Sequence, residues 1–270
     1  MRTSTTQESK LALPATSSPP LDKRDWIAGL ENGLGLIEVF DDANPRLTAS
    51  QAGALCGLTR TAARRYLLTL QHLGYIASDG KLFWLTPRIL RLGQSYLESA
   101  RLPRIAQPFL QRVTAGTQES AYISVMDGEE IVYIGRNGAN RNMNTGYILG
   151  SRVPAQVTAA GILMMALRPQ TWVDDWLAMR DLRTYTPHTI ISKEHMRATM
   201  DSIRSQGWVL SEQQLELGFR GVAVPVRDRN GTVVAALSVT MPMGNEPGED
   251  AVAWVLSVLA DAAQSMRNLI

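Results

Sequence analysis

Arg60, Thr61, Arg64 and Arg65 fall in one short run, and their types suit recognition of a polyanion by its edges as well as its charge. The planar guanidinium of arginine can bridge two acceptors on guanine, and a threonine methyl can meet the methyl of thymine. Ala63, Tyr66, Leu67, Leu70 and Leu73 follow steps of three and four, so a helix here turns them to one face. Thr61, Arg64 and Arg65 then point away from that face, all within the first two turns. Charge alone leaves a second reading open, in which these arginines only solvate a surface helix.

The elements around the run favour the first reading. Thr48 is placed to cap a helix with Ala52, Leu55 and Cys56 on its inner face, and Gly57 breaks it. Leu58 packs inward and Thr59 caps the next helix, which runs to about Gly74. Two short helices joined through a glycine, the second with bare cations at its leading end, form a helix-turn-helix layout. Tyr75–Ala77 and Leu82–Leu85 then flank Ser78-Asp79-Gly80-Lys81, and Asp-Gly is a strong hairpin signal. This predicts a wing with Lys81 at its tip, next to a phosphate backbone. Upstream, Ile27, Leu30, Leu34, Ile37 and Phe40 mark a helix stopped by Asp41–Pro45. Its Gly29, Gly33 and Gly35 would also suit a phosphate loop, but no Gly-Lys-Ser/Thr follows and no strand precedes. Downstream, Pro87 opens a helix over Arg88 to about Ala100. Its broad apolar face (Ile89, Leu90, Leu92, Gly93, Tyr96 and Leu97) is expected to bury against a partner.

The chain of 270 residues is long enough for two domains. With 45% hydrophobic and 19% charged residues it is neither disordered nor a polytopic membrane protein. The net charge of +2 conceals an asymmetry. Lys23–Arg104 holds eleven Lys/Arg against seven Asp/Glu, and Ile105–Ile270 holds fourteen against sixteen. A basic part joined to a mildly acidic one suggests a polyanion-binding module attached to something else. Residues 1–22 are Ser/Thr/Pro-rich and read as a flexible tail without a secretory signal, so the expected compartment is the cytoplasm. A single cysteine, Cys56, excludes an internal disulfide and reads as an inert thiol, and three histidines leave little for a metal site.

Beyond Pro103 the texture is mixed. Gln107–Thr117, Val157–Leu167, Ser192–Gln206 and Asp250–Leu269 read as helices. Hairpins are expected at Ala121–Met126 with Ile131–Gly135 and at Val222–Val226 with Val233–Met241. The fold class is therefore α+β, with strand pairs and helices on one side of them. Ser238 and Thr240 alternate along one strand and present hydroxyls to the same side. Arg220 has the geometry to clamp a carboxylate, or to pair with Glu216 if that segment is helical, and the second reading is preferred. Arg136 and Arg141 are weaker candidates for a carboxylate, and Met164 and Met165 read as core. For an enzyme, a hydrolase using Ser211 and His188 is the alternative, with no residue evident to orient the pair. His72, His188 and His195 lack metal-ligand spacing, and no nucleophile elbow or dinucleotide motif occurs. No catalytic residue, metal or cofactor is assigned. A purely structural nucleoid protein would not need so large a second part without basic enrichment.

The stretch LTASQAGALCGLTRTAARRYLLTLQHLGYIASDGKLFWLTPRILRL, Leu47–Leu92, resembles the winged helix-turn-helix of the IclR family of bacterial transcription regulators. Within it, GLTRTAARRYLLTLQHLGYI resembles the subgroup that regulates aromatic-acid catabolism through the β-ketoadipate pathway. GSRVPAQVTAAG and ELGFRGVAVPVRDRNGTVVAALSVT resemble the family's GAF-like effector-binding domain, so the likeness spans roughly residues 25–270. It implies a tail at 1–22, a DNA-binding domain at 23–86, a linker helix at 87–102 and an effector-binding domain at 103–270. It further implies double-stranded operator DNA with a (pseudo)palindromic site, contacted by Arg60, Thr61, Arg64, Arg65 and Lys81. The implied effector is a small aromatic or dicarboxylic acid, held by Ala159, Ala160, Ser211, Gly221, Ser238 and Thr240. Ala159 and Ala160 would offer backbone N–H groups at a helix start. Ser211 stands where some relatives carry aspartate, Gly221 replaces a larger residue and leaves room, and Ile162 departs from the usual Lys or Arg. A homodimer, pairing further into tetramers, completes the expectation.

Overall fold

The computed structural model describes residues 21–22, 24–138, 147–244 and 248–270, excepting the side chains of Glu249 and Ala251. The tail at 1–20 and Arg141 lie outside the described residues. The chain divides into two units, Met1–Tyr96 and Leu97–Ile270.

The first unit contains α1 (Ala28–Glu38), β1 (Leu47–Thr48), α2 (Ala49–Leu55), α3 (Arg60–His72), β2 (Ile76–Ser78) and β3 (Leu82–Leu85). Thr48 and Gln51 form a reciprocal capping box at the start of α2. Gly57, at φ +69°, turns the chain between α2 and α3 in a conformation that other residues resist. The Thr59 side chain then accepts from Ala62 N–H at the start of α3. The three strands pair antiparallel in the order β1-β3-β2, which is the expected wing with a short extra strand. Leu36, Ala52, Ala63, Leu67, Ile76 and Phe83 form the centre of the core.

Periodicity found these helices but mistook parts of their inward faces. Ile27, Leu30 and Leu34 are 69%, 61% and 47% exposed, and Leu36 is the buried residue of α1. Leu55 and Leu73, expected inside, are also exposed. A helical stripe reports that a face is apolar, but which neighbour covers it depends on where the short α2 and the wing come to lie. The next helix, α4 (Leu90–Ser99), spans the division between the units and has no buried residue. Its Leu90, Leu92 and Tyr96 are all exposed.

In the second unit, α5 (Arg101–Thr117) begins earlier than expected, after Ala100 leaves the helical region at ψ 126°. Pro103 falls in its first turn, where a missing N–H costs nothing, while Pro108 lies inside. There follow β4 (Ser120–Asp127), β5 (Glu130–Asn137), β6 (Arg152–Pro154), α6 (Ala159–Ala166), α7 (Gln170–Met179) and α8 (Lys193–Gln206). The unit ends with β7 (Val209–Glu212), β8 (Phe219–Arg227), β9 (Val233–Pro242) and α9 (Gly248–Arg267). All six strands pair antiparallel in the order β6-β5-β4-β9-β8-β7.

Helices cover both faces of this sheet, against the expectation of one. Val222, Val224, Leu237 and Val239 pack with residues of α5 and α9. Tyr122, Ala223 and Ala236 pack on the other side with α6, α7 and α8. The cause is legible in β9, where Ala235, Ala236, Leu237, Ser238 and Val239 are buried without a break. A strand apolar at both parities needs cover on both sides. The ten-residue α7 was not anticipated, and neither were the edge strands β6 and β7, whose three and four residues carry too little alternation to detect.

Candidate functional site

On α3, Ala63 and Leu67 have no exposed surface, and that packing fixes the helix rotation. Arg60, Thr61, Arg64 and Arg65 are consequently exposed, as is Lys81 at the turn between β2 and β3. No ion pair among the described residues engages any of these cations. The turn holds itself through polar contacts within its own residues. The Asp79 carboxylate accepts from Lys81 N–H at 3.0 Å and from Leu82 N–H at 2.8 Å. These bonds hold its carboxyl below the usual carboxylate range. Ser78 Oγ accepts from Gly80 N–H at 3.0 Å, and Gly80 has φ +98°. The acidic residue of the turn is thereby satisfied locally, leaving the Lys81 charge to face outward.

In the second unit, Ala159, Ala160, Ser211, Gly221, Ser238 and Thr240 all line one cleft of about 560 Å³, its open mouth included. Sheet register explains the convergence. Ser211 is opposite Gly221, and Gly221 is opposite Thr240, so a row crosses β7, β8 and β9 on the α6 face. Ser238 stands in the next row, between Ala223 and Tyr122. Directly opposed residues in antiparallel strands share a face. Above this row stands the start of α6, where the Thr158 side chain accepts from Gly161 N–H at 3.1 Å. Ala159 and Ala160 occupy the first turn, whose N–H groups have no partner within a helix.

The site has parts that sequence reasoning missed. Tyr133 and Tyr147 line the cleft with rings stacked at 5.0 Å, and Tyr122 lies 5.1 Å from Tyr133. Burial, with smaller contributions from neighbouring Glu216 and Tyr122, pushes the Tyr147 phenol up to about 12. Burial also raises Tyr133, so both rings stay neutral well beyond neutral pH. Tyr133 shares a face with Tyr122 across the β4–β5 hairpin, but a register shift between Ile123 and Ser124 hides this from simple counting, and Tyr147 comes from the segment before β6. The rim residues Gln213 and Gln214 are fixed by Thr186 and Thr189, whose hydroxyls donate to their backbone carbonyls.

Gly221 does not simply leave room. A Cβ placed there would lie 3.2 Å from the Ala159 Cβ, so the glycine admits the start of α6 to the sheet surface. Arg220 is in β8 rather than a helix, which removes the expected i, i+4 pairing with Glu216. Its side chain, 1% exposed, instead meets Glu212 of β7 with Nε–Oε1 at 3.3 Å. Alternation turns Arg220 to the α9 face, opposite to Gly221 and its row. Arg136 Nη1 donates to the Tyr147 carbonyl at 2.9 Å, and its guanidinium stands over the Tyr122 ring. Met164 and Met165 are buried in the core. Among the described residues no hydrogen bond joins His188 to Ser211, and no three His, Cys, Asp or Glu gather as metal ligands. Nor is any helix there long and apolar enough to cross a membrane. Cys56 is half-buried, and burial raises its thiol.

Comparison with known proteins gives concordant matches. A family model for the bacterial transcriptional regulator IclR C-terminal matches residues 94–268, and one for the IclR helix-turn-helix domain matches residues 29–80. The p-hydroxybenzoate hydroxylase transcriptional activator of Acinetobacter baylyi is 36% identical over 259 residues, covering 94% of this chain and 96% of the relative. The crystal structure of a putative transcriptional regulator from Rhodococcus sp. RHA1 is similar with a TM-score of 0.79 and 37% identity, covering 90% of this chain and 97% of that one. The inducer binding domain of the PobR transcription factor from Acinetobacter, a double mutant in complex with 3-hydroxybenzoic acid, is 30% identical with a TM-score of 0.59. It covers 63% of this chain and 100% of its own.

Proposed function

The chain belongs to the IclR family of bacterial transcriptional regulators, and on that premise we propose that an aromatic carboxylic acid, bound in the cleft, sets its affinity for operator DNA. The regulated genes in this reading serve aromatic-compound catabolism, and the chain acts in the cytoplasm as a sensor rather than as an enzyme. Support comes from the relative that activates p-hydroxybenzoate hydroxylase transcription and from the inducer binding domain in complex with 3-hydroxybenzoic acid.

The carrying observation is the convergence of six small or polar residues, from α6, β7, β8 and β9, on one cleft walled by neutral tyrosines. The first-turn N–H groups of Ala159 and Ala160, with the hydroxyls of Ser211, Ser238 and Thr240, supply donors for a carboxylate. Tyr133 and Tyr147 supply flat apolar surface for a ring, which favours an aromatic acid over an aliphatic dicarboxylate.

On the DNA side, Arg60, Thr61, Arg64 and Arg65 enter the major groove and Lys81 meets phosphate. Residues 23–86 read DNA, 87–102 link, and 103–270 sense the effector. The exposed apolar residues of α1 and α4, Leu30, Leu34, Leu90 and Leu92 among them, suit a homodimer whose two reading heads require a (pseudo)palindromic site. Pairing of such dimers would give the tetramer. A coupling of about 1–3 kcal/mol between effector and DNA would change occupancy roughly 5- to 150-fold.

A thermal-shift and DNA-binding screen with 4-hydroxybenzoate, protocatechuate, β-ketoadipate and cis,cis-muconate tests the reading. An aromatic acid should raise the melting temperature and alter affinity for the promoter upstream of the chain's own gene. Absence of any response, or turnover of a compound, overturns it.

A further inference from the structure

Besides Lys81, the wing has a second exposed cation, Arg46, which rests on an aromatic ring. It immediately precedes β1. Leu47 is opposite Phe83 and Thr48 opposite Leu82, so continuing the register puts Arg46 across from Trp84. Phe83 and Leu47 point into the core, and alternation turns Trp84 and Arg46 to the outer face of the wing. There the Arg46 guanidinium lies over the Trp84 ring, 4.5 Å from its centroid.

The half-buried Trp84 offers Arg46 a platform, and a long side chain held by a ring loses less freedom on meeting a partner. No ion pair among the described residues uses this guanidinium. The nearby Asp79 carboxylate accepts from the backbone N–H groups of Leu82 and Lys81 and attracts Arg46 only through its charge, without an ion-pair contact.

We infer that Arg46, braced on Trp84, is a DNA-phosphate contact of the wing and acts beside Lys81. The inference rests on the DNA-binding reading of α3 and adds a residue to it. A phosphate contact carries no base information, so it should act equally on any sequence.

Binding of the full-length protein to a fluorescein-labelled mixed-sequence duplex, and to the duplex upstream of its own gene, is measured over a series of salt concentrations. For Arg46→Gln the slope of log affinity against log salt should become shallower by roughly 1 per protomer, on both duplexes alike. Arg46→Lys should keep the wild-type slope, because the charge remains. Trp84→Leu should weaken binding while leaving the slope, because the charge is present but no longer held. An unchanged slope in Arg46→Gln overturns the inference, as does an Arg46→Lys slope as shallow as that of Arg46→Gln, which would mark a purely structural role. If wild type binds neither duplex, the DNA-binding reading itself fails and takes the inference with it.

Discussion

Ala159 sits over Gly221 so closely that a single added carbon on the glycine would come within 3.2 Å of the alanine Cβ. Two distant parts of the chain meet there, and their contact sets the height of the α6 start above the sheet. Gly221→Val should therefore lift that helix start, lowering stability by about 1–3 kcal/mol through overpacking. The same variant should lose its effector-induced melting shift. Urea unfolding and ligand titration on one preparation check both; a variant that unfolds like wild type would show that the helix start yields without cost.

Ser238 and Thr240 alternate with buried Val239 and Leu237, so their hydroxyls can be removed without disturbing the other face. Ser238→Ala and Thr240→Val should raise the effector concentration needed for half-maximal response. Affinity for DNA without effector should stay unchanged. Dose–response curves by fluorescence anisotropy separate the two quantities.

Arg64 and Arg65 are exposed on the helix whose opposite side carries Ala63 and Leu67. Arg64→Ala or Arg65→Ala should leave thermal stability within about 0.5 kcal/mol of wild type, as at ordinary surface positions. Loss of a bidentate base contact should cost about 1–3 kcal/mol of discrimination for the operator. Footprinting beside a melting curve is the measurement, and an intact footprint would count against either residue.

The pair of Arg220 and Glu212 is one-sided in burial, 1% against 37% side-chain exposure. Glu212→Ala should cost about 1–2 kcal/mol, a figure reduced from that of a fully buried pair because the carboxylate is partly solvated. The double change Arg220→Met with Glu212→Ala should cost less than the sum of its parts. A double-mutant cycle by chemical unfolding reads this directly.

The Tyr147 phenol ionises near 10 when unfolded and near 12 in the folded chain, because burial disfavours its charge. Its raised value means that folding favours the protonated form. The associated stability is whole below about pH 10 and is lost as pH climbs towards about 12. Stability measured over this window should fall more gently in Tyr147→Phe than in wild type.

The parts of this protein legible in its sequence were those governed by neighbouring residues. Thr48, Thr59 and Asp79 each announce a cap or turn through contacts only two or three residues away, and each does so in the structure. The resemblance supplied the cleft residues, and sheet register then brought them together. What stayed hidden depends on distant packing. The exposure of Leu30 and Leu34 follows from what α1 does not touch, which no stripe reveals. Arg220 was misjudged because its environment is set by a strand partner eight positions away rather than by a helical turn. Tyr133 reaches the cleft only after a bulge displaces one hairpin arm against the other, and Tyr147 reaches it from the segment between β5 and β6.

The division between the faces of β7, β8 and β9 reaches beyond folding. Ser211, Gly221, Ser238 and Thr240 share one parity, while Glu212, Arg220, Leu237 and Val239 hold the other. In the proposed reading, substitution at one set retunes the chemistry of the effector cleft, while the neighbouring set keeps the scaffold intact. A lineage built on this sheet can thus explore new inducers one position at a time, with each trial shielded from the residues that keep the protein folded.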